Sequence, residues 1–212
     1  MESKNFTQQE SMAVINEMIA QARNNVQKGS ANGLIYNGYA VAFTAILNFI
    51  LLNVLPESEL NWSFSVWWLM VPSYLIWRYV QSRVDRSAIV KTHIDSIIST
   101  LWRGFTISVL VLLSILFSLA LAFHSWHYFA VNTPIIMIMC ALAEFGMAKA
   151  CRFKPFFWGA IGFWAGALLC CFFTYFVLKR NDIQFLILAL CMILGFVIPG
   201  HQLNKLAKKE NV

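Results

Sequence analysis

The chain has 212 residues, 59% of them hydrophobic and only 12% charged, with a mean hydropathy of +0.63. A soluble domain carries about 45–50% apolar and about 25% charged residues, so this composition excludes an ordinary soluble globule. The net charge of +6 does not point to nucleic acid, because the basic residues stand in short runs between apolar segments, where positive charge sets membrane topology.

The first element runs from Thr7 to about Lys28. Thr7-Gln8-Gln9-Glu10 has the spacing of a capping box. Met12, Ile15, Ile19, Ala22 and Val26 then recur every three to four residues and form one apolar stripe, and Gly29-Ser30 is expected to end the helix. Such a helix either lies on the inner leaflet or docks a partner, with Ile15, Met18 and Ile19 as contact residues. Nothing in the first 30 residues resembles a cleavable signal peptide, and the C-terminus carries no lipidation signal.

Six apolar runs follow, at about 34–55, 62–80, 105–123, 129–147, 156–178 and 183–198. In hydrocarbon every backbone polar group must be bonded internally, and no period-two alternation of a barrel occurs, so these runs are expected to be helices. The expected fold is all-α: a polytopic bundle of about six spans over residues 33–203, preceded by an amphipathic cytoplasmic helix (1–32) and followed by a basic tail (204–212). The last run is short and would leave Pro199 near the headgroups. Between the second and third runs, Val90, Ile94, Ile97, Ile98 and Leu101 share a face, which predicts a helix along the inner surface or an inward extension of the third span.

Of the sixteen Lys and Arg residues, all but Lys179 and Arg180 fall in the N-terminal segment, the second and fourth connections with their adjoining helix ends, or the tail. The positive-inside rule therefore predicts both termini in the cytoplasm.

Asn37-Gly38-Tyr39 opening the first run, the stretch Gly146 to Lys154, and Ile198-Pro199-Gly200-His201 closing the last resemble segments of a group of small bacterial multi-span membrane proteins. The resemblance implies a helical membrane fold in a bacterial inner membrane and no activity.

An ionisable group within a span is a functional candidate by default. Glu144 is the only acid in any of the six runs, five residues from Lys149 and so about 7–8 Å from it along the helix. It reads as a proton- or cation-binding carboxylate, or as a helix-end carboxylate paired with Arg103 or a loop cation. Asn37, Arg78, Arg103 and His201 fall at the same cytoplasmic depth and with Glu144 outline a polar vestibule; the alternative is that helix ends are simply polar. Thr44 and Asn48 share a face of the first span and are read as interhelical hydrogen-bonding groups. Gly162 and Gly166 have the spacing of a close helix contact, within the bundle or between protomers.

His124 and His127 flank Trp126 in an outer loop and form at most a weak metal pair, with residues of an interfacial belt as the other reading. The five cysteines have no metal-type spacing and read as small apolar residues. No phosphate-binding loop, zinc-protease or serine-hydrolase motif occurs, and no cofactor is expected. Three functional classes follow: a non-enzymatic membrane component that binds a cytoplasmic protein partner or a second copy of itself, a small-solute or ion transporter using the Glu144 region, and a membrane-embedded enzyme, for which no catalytic residues are found.

Overall fold

The computed structural model describes residues 8–56, 60–85, 93–177 and 181–209, with only the backbone described for 8–30. All its regular structure is helical. Helix α1 is Gln8–Val54; the short α2, Leu60–Ser63, passes through a 3-10 segment, Phe64–Leu69, into α3, Met70–Asp85. Helix α4 is His93–Phe123 and α5, after a 3-10 turn, Asn132–Cys151. Helix α6, Lys154–Phe172, ends in a π turn, Phe173–Val177; α7, Ile183–Met192, runs through a second π turn, Ile193–Val197, into α8, Ile198–Lys209. These segments form six helical rods, and five contain a stretch long and apolar enough to cross a membrane: Ala31–Val54, Ser96–Phe123, Tyr128–Cys151, Lys154–Val177 and Ile183–Leu206.

Three expectations are corrected. Gly29-Ser30 does not end the first helix, which runs unbroken into the first span. Glycine stops a helix by taking a left-handed conformation, and no described glycine has positive φ. The second run, 62–80, is not one helix of spanning length; it divides at the 3-10 segment, and Pro72 sits in the first turn of α3, where its missing N–H is tolerated. The last run does not end at Pro199, which is buried within the α7–α8 rod. A helical proline removes its own N–H and crowds the carbonyl four residues back, here that of Gly195, and the π turn at Ile193–Val197 occupies that turn. Of the two forms expected for the segment before the third span, the continuous one is present, since α4 already begins at His93.

In lipid, helices associate through close packing more than through hydrophobic burial. Helix α1 lies antiparallel to the α7–α8 rod along a seam of small residues. Ala31, Ala42 and Ala45 are buried there. A Cβ at Gly38 would stand 2.8 Å from Val197 Cγ2 and 3.1 Å from Phe196 Cβ, and one at Gly200 would stand 2.6 Å from Ile35 Cγ1 and 3.2 Å from the Ala31 carbonyl. Polar bonds tie the ends of the seam: Asn53 Nδ2 donates to Asp182 Oδ2 at 3.0 Å, and Asn204 Nδ2 to Asn32 Oδ1 at 2.8 Å.

Helices α5 and α6 form a tight hairpin. It turns at Arg152, in the left-handed region at φ 51°, with the Phe153 N–H donating to the Ala148 carbonyl at 3.2 Å. Helix α3 lies on α1, where Tyr36 stacks on Trp77 (centroids 5.1 Å apart) and meets Ser73 Oγ at 2.9 Å. Helix α4 is peripheral, touching the core through Ile98, Leu116, Ala120 and the contact of Trp102 with Phe196.

The glycines of this packing are not equivalent, because nothing lies within 4 Å of a Cβ built at Gly162. Gly38→Val and Gly200→Val are each expected to destabilise the protein by about 1–3 kcal/mol through overpacking. Gly162→Ala is expected to hold or raise stability, since alanine is favoured over glycine in a helix by about 1 kcal/mol. Thermal unfolding of the three variants in detergent checks the order.

Candidate functional site

Glu144 stands on the inward face of α5 and is 0% exposed. Its carboxylate lies in a recess made by missing side chains. A Cβ at Gly159 of α6 would overlap Oε1 and stand 2.8 Å from Cδ and 2.9 Å from Oε2. From the other side, a Cβ at Gly195, inside the α7 π turn, would stand 3.3 Å from Oε2 and 3.0 Å from Phe163 Cδ2. Phe163 is itself buried against Phe196, with centroids 5.1 Å apart. On the same face of α5, Cys140 is buried one turn away.

Neither Glu144 oxygen has a hydrogen-bond partner among the described residues. An ionised carboxylate enclosed in this way costs several kcal/mol unless its charge is matched. The chemistry such a recess favours is capture of a proton or a small cation by an otherwise uncompensated oxygen pair.

The vestibule outlined from the sequence does not converge on this carboxylate. Arg103 is exposed and turns back along its own helix, with Nε donating to the Ser99 carbonyl at 3.2 Å and Nη2 to Ser99 Oγ at 3.4 Å. Lys149 lies over the Phe145 ring, 5.6 Å from its centroid. Arg78 is exposed on α3. Asn37 Nδ2 donates to the Gly33 carbonyl at 2.9 Å within α1, and the exposed His201 meets Tyr39 Oη at 3.4 Å. The four polar residues grouped with Glu144 thus find other surroundings, and Glu144 is more buried than any of them.

Asn48 and Thr44 do join helices. Asn48 is fully buried, and the amide orientation that satisfies both its ends has Nδ2 donating to the Ser63 carbonyl at 3.1 Å and Oδ1 accepting from Trp67 Nε1 at 2.8 Å. Thr44 Oγ1 donates to the Ala40 carbonyl at 2.8 Å and approaches Met70 Sδ at 3.7 Å. Gly166 packs inside the bundle, where a Cβ would overlap Cys191 Sγ and reach Met137 Cε, whereas Gly162 faces open space.

His124 is exposed at the end of α4 with φ 48°, and the His127 side chain lies outside the described residues, as do those of Ile15, Met18 and Ile19. Among the described residues no group of three or more His, Cys, Asp or Glu side chains converges as a metal site.

Sequence reasoning missed the recess and the burial of side-chain oxygens on Asn132, Thr174 and Gln184. One signal was available for the recess: Gly159 and Gly166 are seven residues apart and so share a face of α6, the face that meets α5 and α7.

The fold and the buried carboxylate define a multi-pass integral membrane protein of helical type. No family model, no curated protein and no solved structure matches the chain, and the resemblance to small bacterial multi-span proteins leads to no family.

These contacts assign opposite outcomes to two polar substitutions. Asn48→Ala is expected to cost about 0.6–2 kcal/mol, with a coupling to Trp67→Phe in a double-mutant cycle, because the two side chains share a bond between helices. Arg103→Gln is expected to stay within about 0.5 kcal/mol of wild type, as for a surface position, and to show no coupling to Glu144→Gln. Unfolding free energies in matched detergent check both.

Proposed function

We propose that this protein is a non-enzymatic component of the bacterial cytoplasmic membrane, crossing it six times with both termini inside, and that it moves a proton or small cation by way of Glu144. The observation that carries the reading is the complete burial of that carboxylate, with neither oxygen partnered among the described residues, in a recess built from glycines on two other helices. A merely structural acid at a helix end reaches a cation or snorkels toward the interface; this one does neither.

Support for the sixth crossing comes from the pairing of the broken second run with α1. Ser63 and Trp67 meet Asn48, Met70 meets Thr44, and Ser73 and Trp77 meet Tyr36. That run therefore follows α1 antiparallel from Asn48 back to Tyr36, twelve residue steps and about 18 Å of rise along α1. Support for the orientation comes from the ends of the helices: Arg152 and Lys154 stand at the α5–α6 turn and Lys205 beside the Asn32–Asn204 bond, and basic residues favour the cytoplasmic side. Cysteine labelling from outside intact cells is expected to modify positions 59 and 126 and to spare position 209; labelling at 209 would overturn the orientation.

A second reading, docking of a cytoplasmic protein or of a second copy through the N-terminal segment, is favoured by the continuity of α1. Residues 8–30 continue the span as one helix and rise about 34 Å beyond it. The two readings separate in proteoliposomes. Under an imposed gradient, wild type is expected to carry protons, reported by a dye inside the vesicle. Glu144→Gln is expected to abolish the signal while retaining folded yield, and deletion of residues 1–28 to leave it in place. Proton movement by Glu144→Gln at the wild-type rate, or by wild type at the rate of empty vesicles, would remove the transport reading and leave the docking one.

A further inference from the structure

The outer surface of α1 holds a groove of about 470 Å³ lined by Asn32, Ile35, Tyr36, Tyr39, Ala40 and Phe43. These positions recur every three or four residues and so form one stripe of the helix. A neighbouring helix fixes each edge of the stripe. On one side Tyr36 stacks on Trp77 of α3 and meets Ser73 Oγ at 2.9 Å. On the other, Tyr39 Oη meets His201 Nε2 of α8 at 3.4 Å, and Asn32 Oδ1 accepts from Asn204 Nδ2 at 2.8 Å. The groove therefore has α1 as its floor and α3 and α8 as its walls. Tyr39 and Phe43 are 52% and 65% exposed, and on a membrane span that surface faces hydrocarbon.

Polarity falls along the groove, and its length matches one leaflet. Asn32 lies at the end of the apolar stretch Ala31–Val54 and Phe43 at its middle. The eleven steps between them rise about 16 Å, half of a hydrocarbon core of about 30 Å. A helix of another protein would be contacted along a whole span. A groove that stops at mid-span suits a single acyl chain whose headgroup lies at the Asn32 end.

That end carries positive charge. Lys205 is exposed, one residue beyond Asn204 and four beyond His201, so His201 and Lys205 share a face of α8. On the opposite wall Arg78, the residue after Trp77, is exposed. Basic side chains between helices at the inner membrane surface bind anionic lipid headgroups, and hydrogen bonds to a phosphate are strengthened by the charge.

We propose that the groove between α3 and α8 binds one anionic phospholipid, its phosphate held by Lys205 and Arg78 beside Asn32 and one acyl chain lying over Tyr36, Tyr39, Ala40 and Phe43. In the orientation proposed above, this lipid belongs to the cytoplasmic leaflet. The site is separate from Glu144 and does not depend on proton movement there.

Native mass spectrometry of the full chain tests the site, after equilibration in detergent with equal phosphatidylglycerol and phosphatidylcholine of matched acyl chains. Wild type is expected to retain one phosphatidylglycerol, preferred by about fivefold or more, the scale of one basic side chain near an anionic headgroup. Arg78→Gln with Lys205→Gln is expected to bring that ratio near one. Lys149→Gln with Lys154→Gln, an equal loss of exposed charge on the α5–α6 hairpin, is expected to leave it unchanged. Ala40→Phe, which fills the groove at constant charge, is expected to remove most of the retained lipid of both kinds. Ala40→Leu serves the same purpose if the phenylalanine variant does not fold. Absence of the preference in wild type, its survival in the Arg78–Lys205 pair, or its equal loss in the hairpin pair overturns the site. So does lipid retention that the folded Ala40 variants keep, which places the lipid outside the groove. A lipid-free wild-type dimer that an Ala40 variant dissociates gives the groove to a second copy and also overturns it.

Discussion

Hydrocarbon offers no water to an oxygen that the protein leaves unpartnered, and the architecture of this bundle turns on where it leaves them. Several described polar side chains of the other helices are bonded along their own helix or to a neighbour: Thr44 to Ala40, Asn48 to Ser63 and Trp67, Arg103 to Ser99. Glu144 on α5 has no hydrogen-bond partner among the described residues. The packing of the bundle thus leaves a buried oxygen pair open to a proton or a ligand.

Glycine makes that packing possible. Gly38 and Gly200 let α1 and α8 approach closely, so the bundle packs tightly without needing apolar burial against water. Gly159 and Gly195 do the opposite service, removing side chains where the Glu144 carboxylate has to lie. The same residue type closes one helix contact and opens a recess in another. The π turn at Ile193–Val197 links the two uses. It stands one turn before Pro199 and Gly200 on the rod that packs against α1, and it carries Gly195 to the carboxylate.

Much of the fold was legible in the sequence because its signals are local. The charge-free run from Phe105 announced α4, and Glu144 stood out as the only acid in any run. What escaped depended on neighbours brought by the fold. Gly29-Ser30 has the composition of a helix end but takes no left-handed turn, so α1 continues. The division of the second run at Phe64–Leu69 accompanies a bond from Trp67 to Asn48, nineteen residues away in sequence. Arg103 and Glu144 share a depth on paper, yet Arg103 stands on the exposed side of the peripheral α4.

The central claim is that Glu144 exchanges a proton or a cation inside the bundle. Infrared difference spectroscopy of the purified protein in nanodiscs, between acidic and alkaline buffer, observes that carboxyl directly through the C=O stretch of its protonated form. The account predicts a carboxylic-acid band that changes between the two buffers and is missing from Glu144→Gln. A difference spectrum of Glu144→Gln identical to that of wild type in this region would contradict it.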